Sequence, residues 1–365
     1  MFPPQSRHPG GIGCRPINPC IILRLSRRGA GMSTIKFGVI GLGWFGQKHC
    51  EALASVPGVR LHSLCTRTQS RLTEVAGRFG VEKTFTDYRP MLEDSELEAV
   101  SIVTMWDQHV DPALSALAAG KHVFLEKPMA STVGDCERLV AAAERADGYF
   151  MVGHICRFNP RYAAAKEAIQ AGRIGRIVSM YARRNIPAFV TEDILNKIGP
   201  IIGDGVHDTD LMLWYSQDRI ESAYAQTVDV RGKKYADLGW TMYRFAGGAI
   251  GVLENVWCLP GKTAFQIDER MEVIGTEGSL HIHETHPNFS ICDREGWHSP
   301  DTTYWPEVRG ERAGALREEL SYFVRCIQEH RPPEIITPRE SLEAVRACLA
   351  AEESAATGKI VPLGR

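Results

Sequence analysis

Residues 35–46 read Ile-Lys-Phe-Gly-Val-Ile-Gly-Leu-Gly-Trp-Phe-Gly, a short apolar stretch that runs directly into a glycine-rich turn. Its β-branched and aromatic residues predict a strand over 35–40, and the helix formers that follow predict a helix from Gly46 onward. In such a turn Gly41 permits the tight bend, and Gly43 lets the backbone approach a pyrophosphate. The free N–H groups and the dipole at a helix start also favour an anion. The stretch therefore predicts a dinucleotide-binding site.

The composition limits the class of protein. The chain has 365 residues with a formal net charge of -2, and 44% of its residues are hydrophobic. This length predicts two domains. Acidic and basic residues are interspersed, which argues against nucleic acid or an anionic membrane as partner. No apolar run approaches the roughly 18 residues that span a bilayer. We expect a soluble, cytoplasmic protein.

The cysteines show no metal-binding pattern. The chain has ten of them, without any C-x-x-C pair, so we expect reduced thiols and no metal site. They are Cys14, Cys20, Cys50, Cys65, Cys136, Cys156, Cys258, Cys292, Cys326 and Cys348.

The N-terminal segment differs from the rest of the chain. Residues 1–31 are rich in Pro, Gly and Arg and contain no acidic residue. Either the start is misassigned and Met32 is the true first residue, or the segment is an organelle transit peptide. The apolar piece at 20–23 is too short for a secretory signal. We expect residues 1–33 to be a disordered extension or a misassigned start, outside the fold.

From residue 35 onward, apolar runs alternate with amphipathic stretches. This alternation predicts an α/β fold, with an N-terminal Rossmann doubly wound parallel sheet over 34–155. Crossovers in such a sheet are right-handed, so a ligand is expected at the carboxyl ends of the strands. The predicted strands are 35–40, 59–65, 98–104, 122–125 and 149–153, and the predicted helices are 46–54, 68–79, 109–119 and 132–146.

The residues after the second strand bear on the cofactor. About 20 residues past the glycines, an acidic residue would bind the adenosine ribose of NAD. Here Thr66 and Arg67 stand in its place, and Arg71 follows in the next helix. A guanidinium suits a 2'-phosphate that a carboxylate would repel, so NADP is favoured over NAD. The alternative for Arg67 is an ordinary solvated arginine.

Two further segments follow predicted strands. They are the run from Thr104 to His109 and the tripeptide Glu126-Lys127-Pro128. A lysine at the carboxyl edge of the sheet can serve as a proton relay or an electrophile. The alternative is a surface Glu–Lys pair that ends a strand.

Taken together, these segments resemble the Gfo/Idh/MocA family, the glucose-fructose oxidoreductase and inositol dehydrogenase group. The resemblance runs through most of 35–363. The residues that carry it are Gly41-x-Gly43-x-x-Gly46-x-x-His49, Thr104 to His109, Ala119-Gly120-Lys121-His122-Val123 leading into Glu126-Lys127-Pro128, Arg157-Phe158-Asn159-Pro160, and Gly275-Thr276-Glu277-Gly278-Ser279.

The resemblance implies a C-terminal α+β domain over 156–365, built on an open, mainly antiparallel sheet that forms substrate contacts and a homodimer or homotetramer interface. Its last helix is expected to pack back on the first domain. The pattern of residues agrees with such a domain, and Gly247-Gly248 predicts a hairpin turn. The strands expected here are 176–184, 219–230, 240–246, 249–256, 270–274 and 279–283, and the helices are 313–329 and 339–356.

The resemblance also implies which residues form the site. Cofactor contacts are expected from Gly41, Gly43, Trp44, Phe45, Gly46, Thr66, Arg67, Arg71, Thr104, Trp106, His109, Glu126 and Lys127. Substrate contacts are expected from Arg157, Arg184, Asn185, Asp204 and His207. Arg183 also falls near these groups, and the alternative for it is a solvated residue along an exposed strand.

Catalysis is assigned to Lys127, His207 and Asp204. His207 falls on the family's catalytic histidine, and an imidazole suits proton removal from a hydroxyl; a capping or core histidine is the alternative. The family's aspartate lies four residues before that histidine, where this chain has Gly203. Three possibilities stay open: Asp204 orients His207, Asp204 binds a substrate hydroxyl, or Asp208 substitutes.

The resemblance implies an NAD(P)-dependent dehydrogenase that acts on a secondary hydroxyl of a sugar, sugar derivative or cyclitol. The positions of Arg184 and Asn185 resemble the inositol dehydrogenase pattern, and such donors suit a polyol. Two alternatives are a glycosidase that uses bound NAD for transient oxidation and a non-catalytic, cofactor-sensing regulator.

Overall fold

The computed structural model describes residues 33–261, 263, 265, 267–283 and 289–364. The expectation for the N-terminal extension therefore lies outside the described residues, apart from Ser33.

The first sheet has six parallel strands in the order β3-β2-β1-β4-β5-β6, which confirms the predicted doubly wound sheet. Helices join successive strands, so the carboxyl ends of all six strands meet at one edge. The elements are β1 (Ile35–Ile40), α1 (Trp44–Ser55), β2 (Val59–Cys65), α2 (Gln69–Phe79), β3 (Lys83–Phe85), α3 (Tyr88–Leu92), β4 (Ala99–Ile102), α4 (Val110–Ala118), β5 (His122–Glu126), α5 (Val133–Ala143) and β6 (Phe150–Gly153).

In the first sheet and its connecting helices, two short elements were not predicted. Strand β3 has three residues and helix α3 has five, so neither is long enough to show a hydrophobic period. Strand β4 ends at Ile102, two residues earlier than predicted. Thr104 lies beyond the strand, and its hydroxyl donates to the carbonyl of Gln108, at 3.1 Å, across a short turn.

The second sheet has seven strands in the order β12-β11-β7-β10-β9-β8-β17. Neighbouring strands are antiparallel except β7 and β10, which confirms the mainly antiparallel sheet. The elements are α6 (Pro160–Gln170), β7 (Ile177–Asn185), α7 (Ala188–Thr191), α8 (Pro200–Gly203), α9 (Gly205–Ser216), β8 (Ile220–Val228), β9 (Leu238–Phe245), β10 (Ile250–Val256), β11 (Asp268–Gly275), β12 (Ser279–His283), β13 (Ile291–Asp293), β14 (Gly296–His298), β15 (Glu307–Val308), β16 (Glu311–Arg312), α10 (Ala315–Gln328), α11 (Pro338–Thr357) and β17 (Val361–Pro362).

The two faces of the second sheet differ in burial. Along β9, Thr241, Tyr243 and Phe245 are buried, whereas Trp240 and Met242 point to the other face and are exposed. Helices α9 and α11 cover the buried face. The exposed face is the one expected to form the homo-oligomer, and that assignment stays a prediction. Gly248, at φ 91°, lies in the predicted β9–β10 turn, where a side chain would be strained.

The last two helices lie against the first sheet and its helices. In α10, Phe323 packs edge-on against Phe37 of β1. Helix α11 contacts α5, with Arg346 Nη2 3.2 Å from Glu137 Oε1. Among the described residues, no helix is both long enough and apolar enough to cross a membrane.

Candidate active site

The glycine turn between β1 and α1 has the shape of an anion cradle. Gly41 has φ +98°, and a Cβ atom on Gly46 would lie 1.9 Å from the carbonyl oxygen of Gly41. A side chain at either position would be strained or would clash. By contrast, nothing lies within 4 Å of the place where Gly43 would carry a Cβ. The backbone at the start of α1 is thus open to a ligand, and a pyrophosphate fits the donors present there.

Aromatic side chains lie beside this turn. Trp44 is 63% exposed. It stacks on Phe45, and Trp305 meets both rings edge-on, with centroids 5.7 Å from Trp44 and 5.4 Å from Phe45. The segment around Trp305 therefore reaches the glycine turn from the C-terminal half of the chain.

The residues after β2 lie at the carboxyl edge of the sheet, as expected. Thr66 is half-buried, and its N–H donates to Phe85 of β3 at 3.1 Å. Arg67 and Arg71 are exposed, and neither has a hydrogen-bond or ion-pair partner among the described residues. Their guanidinium groups are therefore available to a ligand.

The segment from Thr104 to His109 lies at the same edge, but its histidine is engaged by the protein. His109 is buried, with Nδ1 3.0 Å from the carbonyl of Pro128 and Nε2 3.1 Å from the carbonyl of Thr104. Burial lowers the pKa of its imidazole. His109 thus holds two loops together, whereas Thr104 and Trp106 are half-buried.

Glu126 is buried beneath the edge. Its Oε1 lies 3.1 Å from Nε2 of His49 in α1, and its Oε2 accepts the backbone N–H of Lys127 at 3.1 Å. His49 in turn lies 2.8 Å from the hydroxyl of Ser101 in β4. This row of polar groups anchors the residue before Lys127, and the Lys127–Pro128 peptide bond is cis.

Lys127 reaches across to the helix start that follows α8. Its Nζ donates to the carbonyl oxygen of Gly203 at 2.8 Å and lies 3.5 Å from Oδ1 of Asp204. The two charged side chains are 20% and 17% exposed, so solvent still reaches both. The other carboxylate oxygen of Asp204 accepts the indole N–H of Trp257 at 2.9 Å.

His207 lies in the first turn of α9 and is 7% exposed. Its Nδ1 is buried and has no hydrogen-bond partner among the described residues. Burial, together with the positive charges of Lys127 and Arg184, lowers the pKa of His207 well below 6.5. The imidazole is therefore neutral at pH 7 and can accept a proton.

The contacts of Asp204 and Asp208 distinguish between the possible roles of these two carboxylates. Its carboxylate bonds to Trp257 and faces Lys127, and no hydrogen bond joins it to His207 among the described residues. Asp208 is fully buried and takes a bidentate pair from Arg184, at 3.1 and 3.0 Å. Burial raises the pKa of Asp208 to about 6, against the opposing effect of Arg184. Both carboxylate oxygens of Asp208 thus pair with Arg184.

The expected substrate-binding residues differ from Lys127 in their surroundings. Arg184 pairs with Glu269 at 2.5 Å as well as with Asp208, and it is buried. Asn185 donates to Glu254 at 2.7 Å and accepts from Val256 at 2.9 Å.

Arg157 is likewise buried and surrounded by protein partners. It forms a bidentate pair with Asp210, at 2.8 and 2.7 Å, and a third contact with Glu340 at 3.2 Å. Its guanidinium also lies over the ring of Trp214. The structure thus brings Lys127 and Asp204 together at the site, with His207 one helical turn after Asp204. The polar groups of the other three expected residues are bound by protein partners; these residues are Arg157, Arg184 and Asn185.

Two buried groups near this edge were missed by sequence reasoning. Neither ring nitrogen of His154 has a hydrogen-bond partner among the described residues, and Nδ1 lies 3.7 Å from Asp210 Oδ2. Both carboxylate oxygens of Glu319 in α10 also lack one, and burial raises its pKa well above 4.5. His154 directly follows the predicted strand 149–153, so its position in the sequence could have indicated that it lies at the carboxyl edge of the sheet. No feature of the sequence around Glu319 indicates that this side chain is buried near the site.

Two family models match the chain. One, described as the oxidoreductase family with an NAD-binding Rossmann fold, matches residues 35–154. The other, the GFO/IDH/MocA C-terminal domain, matches residues 162–281. The matches follow one another along the chain and together include Lys127 and His207.

Curated and solved proteins are similar over nearly the whole chain. Myo-inositol 2-dehydrogenase of Thermotoga maritima is 27% identical over 310 residues, covering 82% of this chain and 90% of that protein. Scyllo-inositol 2-dehydrogenase (NAD(+)) of Bacillus subtilis is 30% identical over 337 residues, covering 90% and 96%. The crystal structure of apo scyllo-inositol dehydrogenase from Lactobacillus casei superimposes with a TM-score of 0.80 at 25% identity, covering 91% and 98%.

Proposed function

This chain belongs to the Gfo/Idh/MocA oxidoreductase family, and from that premise we propose that it is a dehydrogenase that transfers hydride between nicotinamide and a secondary hydroxyl of a sugar, sugar derivative or cyclitol. The observation that carries the proposal is the meeting of Lys127 with the helix start that holds Asp204 and His207. An amine and a neutral imidazole at one edge are the groups that alcohol oxidation needs.

The cofactor would be held at the carboxyl edge of the first sheet. The open backbone at Gly43 suits its pyrophosphate, and Thr66, Arg67 and Arg71 follow β2 where an adenosine ribose would be bound. When bound, nicotinamide supplies the hydride acceptor or donor. The curated relative from Bacillus subtilis is named for NAD(+), and the comparisons lend no support to the preference for NADP expected from Arg67. We therefore propose a nicotinamide dinucleotide as the cofactor, with no preference for NADP.

Two side chains of the protein, His207 and Lys127, would act on the proton and the negative charge of the substrate hydroxyl. His207 is neutral at pH 7, so its imidazole can take the hydroxyl proton as hydride leaves the same carbon. Lys127 is held by the carbonyl of Gly203 and faces Asp204, and its remaining N–H donors can stabilise negative charge on the substrate oxygen. The Coulomb attraction of Asp204 keeps the amine at this edge.

The names of the relatives support the proposed substrate class. Two curated relatives are inositol dehydrogenases by name, so we propose cyclitols as the first compounds to test. The donors of Arg157, Arg184 and Asn185 are engaged by buried protein groups. For these three residues we propose a positioning role in place of direct substrate contact.

The test is a cofactor-reduction screen with the purified chain. Cyclitols, sugars and sugar acids are supplied with NAD and NADP separately, and absorbance at 340 nm reports reduced cofactor. We expect turnover with at least one polyol and its loss in His207→Ala. Cleavage of an aryl glycoside without net reduction would identify the glycosidase alternative. Cofactor binding without turnover of any compound would favour the regulator.

A further inference from the structure

Trp257 lies directly after β10 and is 2% exposed. Its indole N–H donates to Oδ2 of Asp204 at 2.9 Å, while Oδ1 of the same carboxylate lies 3.5 Å from Nζ of Lys127. Each oxygen of Asp204 thus has a different partner. A carboxylate with one oxygen held by a buried donor cannot turn freely about its last bond.

The same indole also limits the residue before Asp204. A Cβ atom on Gly203 would lie 2.4 Å from Cη2 and 2.8 Å from Cζ2 of Trp257. Both are atoms of a rigid, buried ring, so the ring cannot yield as the end of a flexible side chain would. With Trp257 in place, a side chain at position 203 would clash with the indole, so a carboxylate beside Lys127 can come from position 204 but not from position 203.

Trp257 is itself fixed by its backbone. Its N–H donates to the carbonyl of Asp237 at 2.8 Å, and its carbonyl oxygen accepts from Oγ1 of Thr191 and Nη2 of Arg231, each at 2.9 Å. Three segments outside β10 therefore hold the residue, and the indole is a rigid support for Asp204.

We propose that Trp257 is a positioning residue that directs the carboxylate of Asp204 toward Lys127 and makes position 204, instead of 203, the one that carries it. The catalytic part of this inference rests on the proposed function, because Lys127 acts on the reacting oxygen only if the chain is a dehydrogenase. The structural part, the pairing of indole and carboxylate and the exclusion of a side chain at 203, stands on its own.

The first experiment needs neither cofactor nor substrate. In ¹⁵N-labelled protein, the Trp257 indole signal is identified among the seven tryptophans by its loss in Trp257→Phe. We expect Asp204→Asn to shift this signal upfield, since a neutral amide oxygen is a weaker acceptor than a carboxylate. The indole signal of Trp240, on the exposed face of the second sheet, is the control and should not move. An unmoved Trp257 signal would overturn the pairing.

The second experiment is a stability cycle. We expect Gly203→Ala to lower the Tm, and we expect most of that loss to disappear when Trp257→Leu removes the indole. The matched control is Gly134→Ala in α5, where nothing lies within 4 Å of the new Cβ atom. Equal losses of Tm for Gly203→Ala with and without the indole would overturn the exclusion.

The third experiment tests the link to catalysis. Trp257→Phe keeps an aromatic ring and removes the N–H, and we expect kcat to fall about 10-fold to 100-fold, while KM changes much less. Unchanged kcat in this variant, with the wild type active, would overturn the positioning role. If the wild type turns over no compound, the proposed function fails, and the first two experiments still decide the structural part.

Discussion

The Nζ atom of Lys127 lies 2.8 Å from the carbonyl oxygen of Gly203. This hydrogen bond joins the turn after β5, at the edge of the dinucleotide-binding sheet, to the helix start that carries His207. The two halves of the chain thus meet at the residues on which the proposed chemistry depends.

Lys127→Ala and His207→Ala should each lower kcat by roughly 100-fold to 10,000-fold, because each removes a group that acts on a proton or a charge in the transition state. Cofactor affinity, measured by fluorescence titration, should change far less, since we expect the glycine turn to bind the pyrophosphate. Lys359→Ala, at an exposed lysine, is the control. Wild-type turnover in both variants would rule out the dehydrogenase mechanism.

The protonation of His207 can be measured directly. Burial and the charges of Lys127 and Arg184 hold its pKa well below 6.5, so its ring resonances should not titrate between pH 8 and pH 6.5. Lys127→Met removes one positive charge, and the midpoint should move upward. NMR of His207, identified by its loss in His207→Ala, provides the measurement. A midpoint at or above pH 6.5 in the wild type would contradict the assignment of a neutral base.

Arg184→Met should destabilise the fold by about 3 to 5 kcal/mol, because it leaves Asp208 and Glu269 buried without their cation. Chemical denaturation measures the loss. Arg183→Met is the matched control, since Arg183 is partly exposed and pairs with Asp268 at 2.8 Å, and its loss should stay at or below about 1 kcal/mol. A stable Arg184→Met enzyme with only a raised KM would instead support substrate binding by Arg184.

Glu352 in α11 makes the stability depend on pH. Burial raises its pKa to about 7 in the folded chain, above the ordinary 4.5, so the folded state holds this proton more tightly. Its contribution is present below pH 4.5 and is lost as the pH rises through 7. Glu352→Gln should therefore raise the free energy of unfolding more at pH 8 than at pH 5, by up to about 3 kcal/mol. The exposed neighbour Glu353→Gln should show no such difference.

We expect cofactor choice to depend on the residues after β2. Thr66→Asp places a carboxylate there, which repels a 2'-phosphate and accepts hydrogen bonds from a free ribose. The ratio of kcat/KM for NAD to that for NADP should rise at least tenfold, about 1.4 kcal/mol. Thr68→Asp, two residues farther on, is the control. An unchanged ratio in Thr66→Asp would place the adenosine ribose elsewhere.

Local features of the sequence were predicted well. The strand–turn–helix around Gly41 and the alternation of strands and helices follow from residue periods that any short window displays. The position of Lys127 at the carboxyl edge followed from right-handed crossovers. Strand β3 and helix α3 were missed because elements of three and five residues show no period.

Side chains whose partners lie far away in the chain could not be predicted. Arg157 and Arg184 were expected to contact substrate, yet each is buried in an ion-pair network. The amino-acid sequence does not show whether the guanidinium of an arginine faces a ligand or a buried carboxylate. Which of the two it faces depends on the packing of α9 against β7, which carries Arg184, and against the turn at 155–158, which carries Arg157.

By itself, the sequence determined the two sheets, the glycine cradle and the family, because these depend on local periods and on motifs of a few adjacent residues. The tertiary structure alone decided which side chains Asp204 contacts. That carboxylate lies 53 positions before Trp257 in the chain, and the indole that bonds to it also excludes a side chain at Gly203. Such a contact arises from close packing between segments that are distant in the sequence. In so dense an interior, the addition of one carbon atom decides whether a side chain can be accommodated.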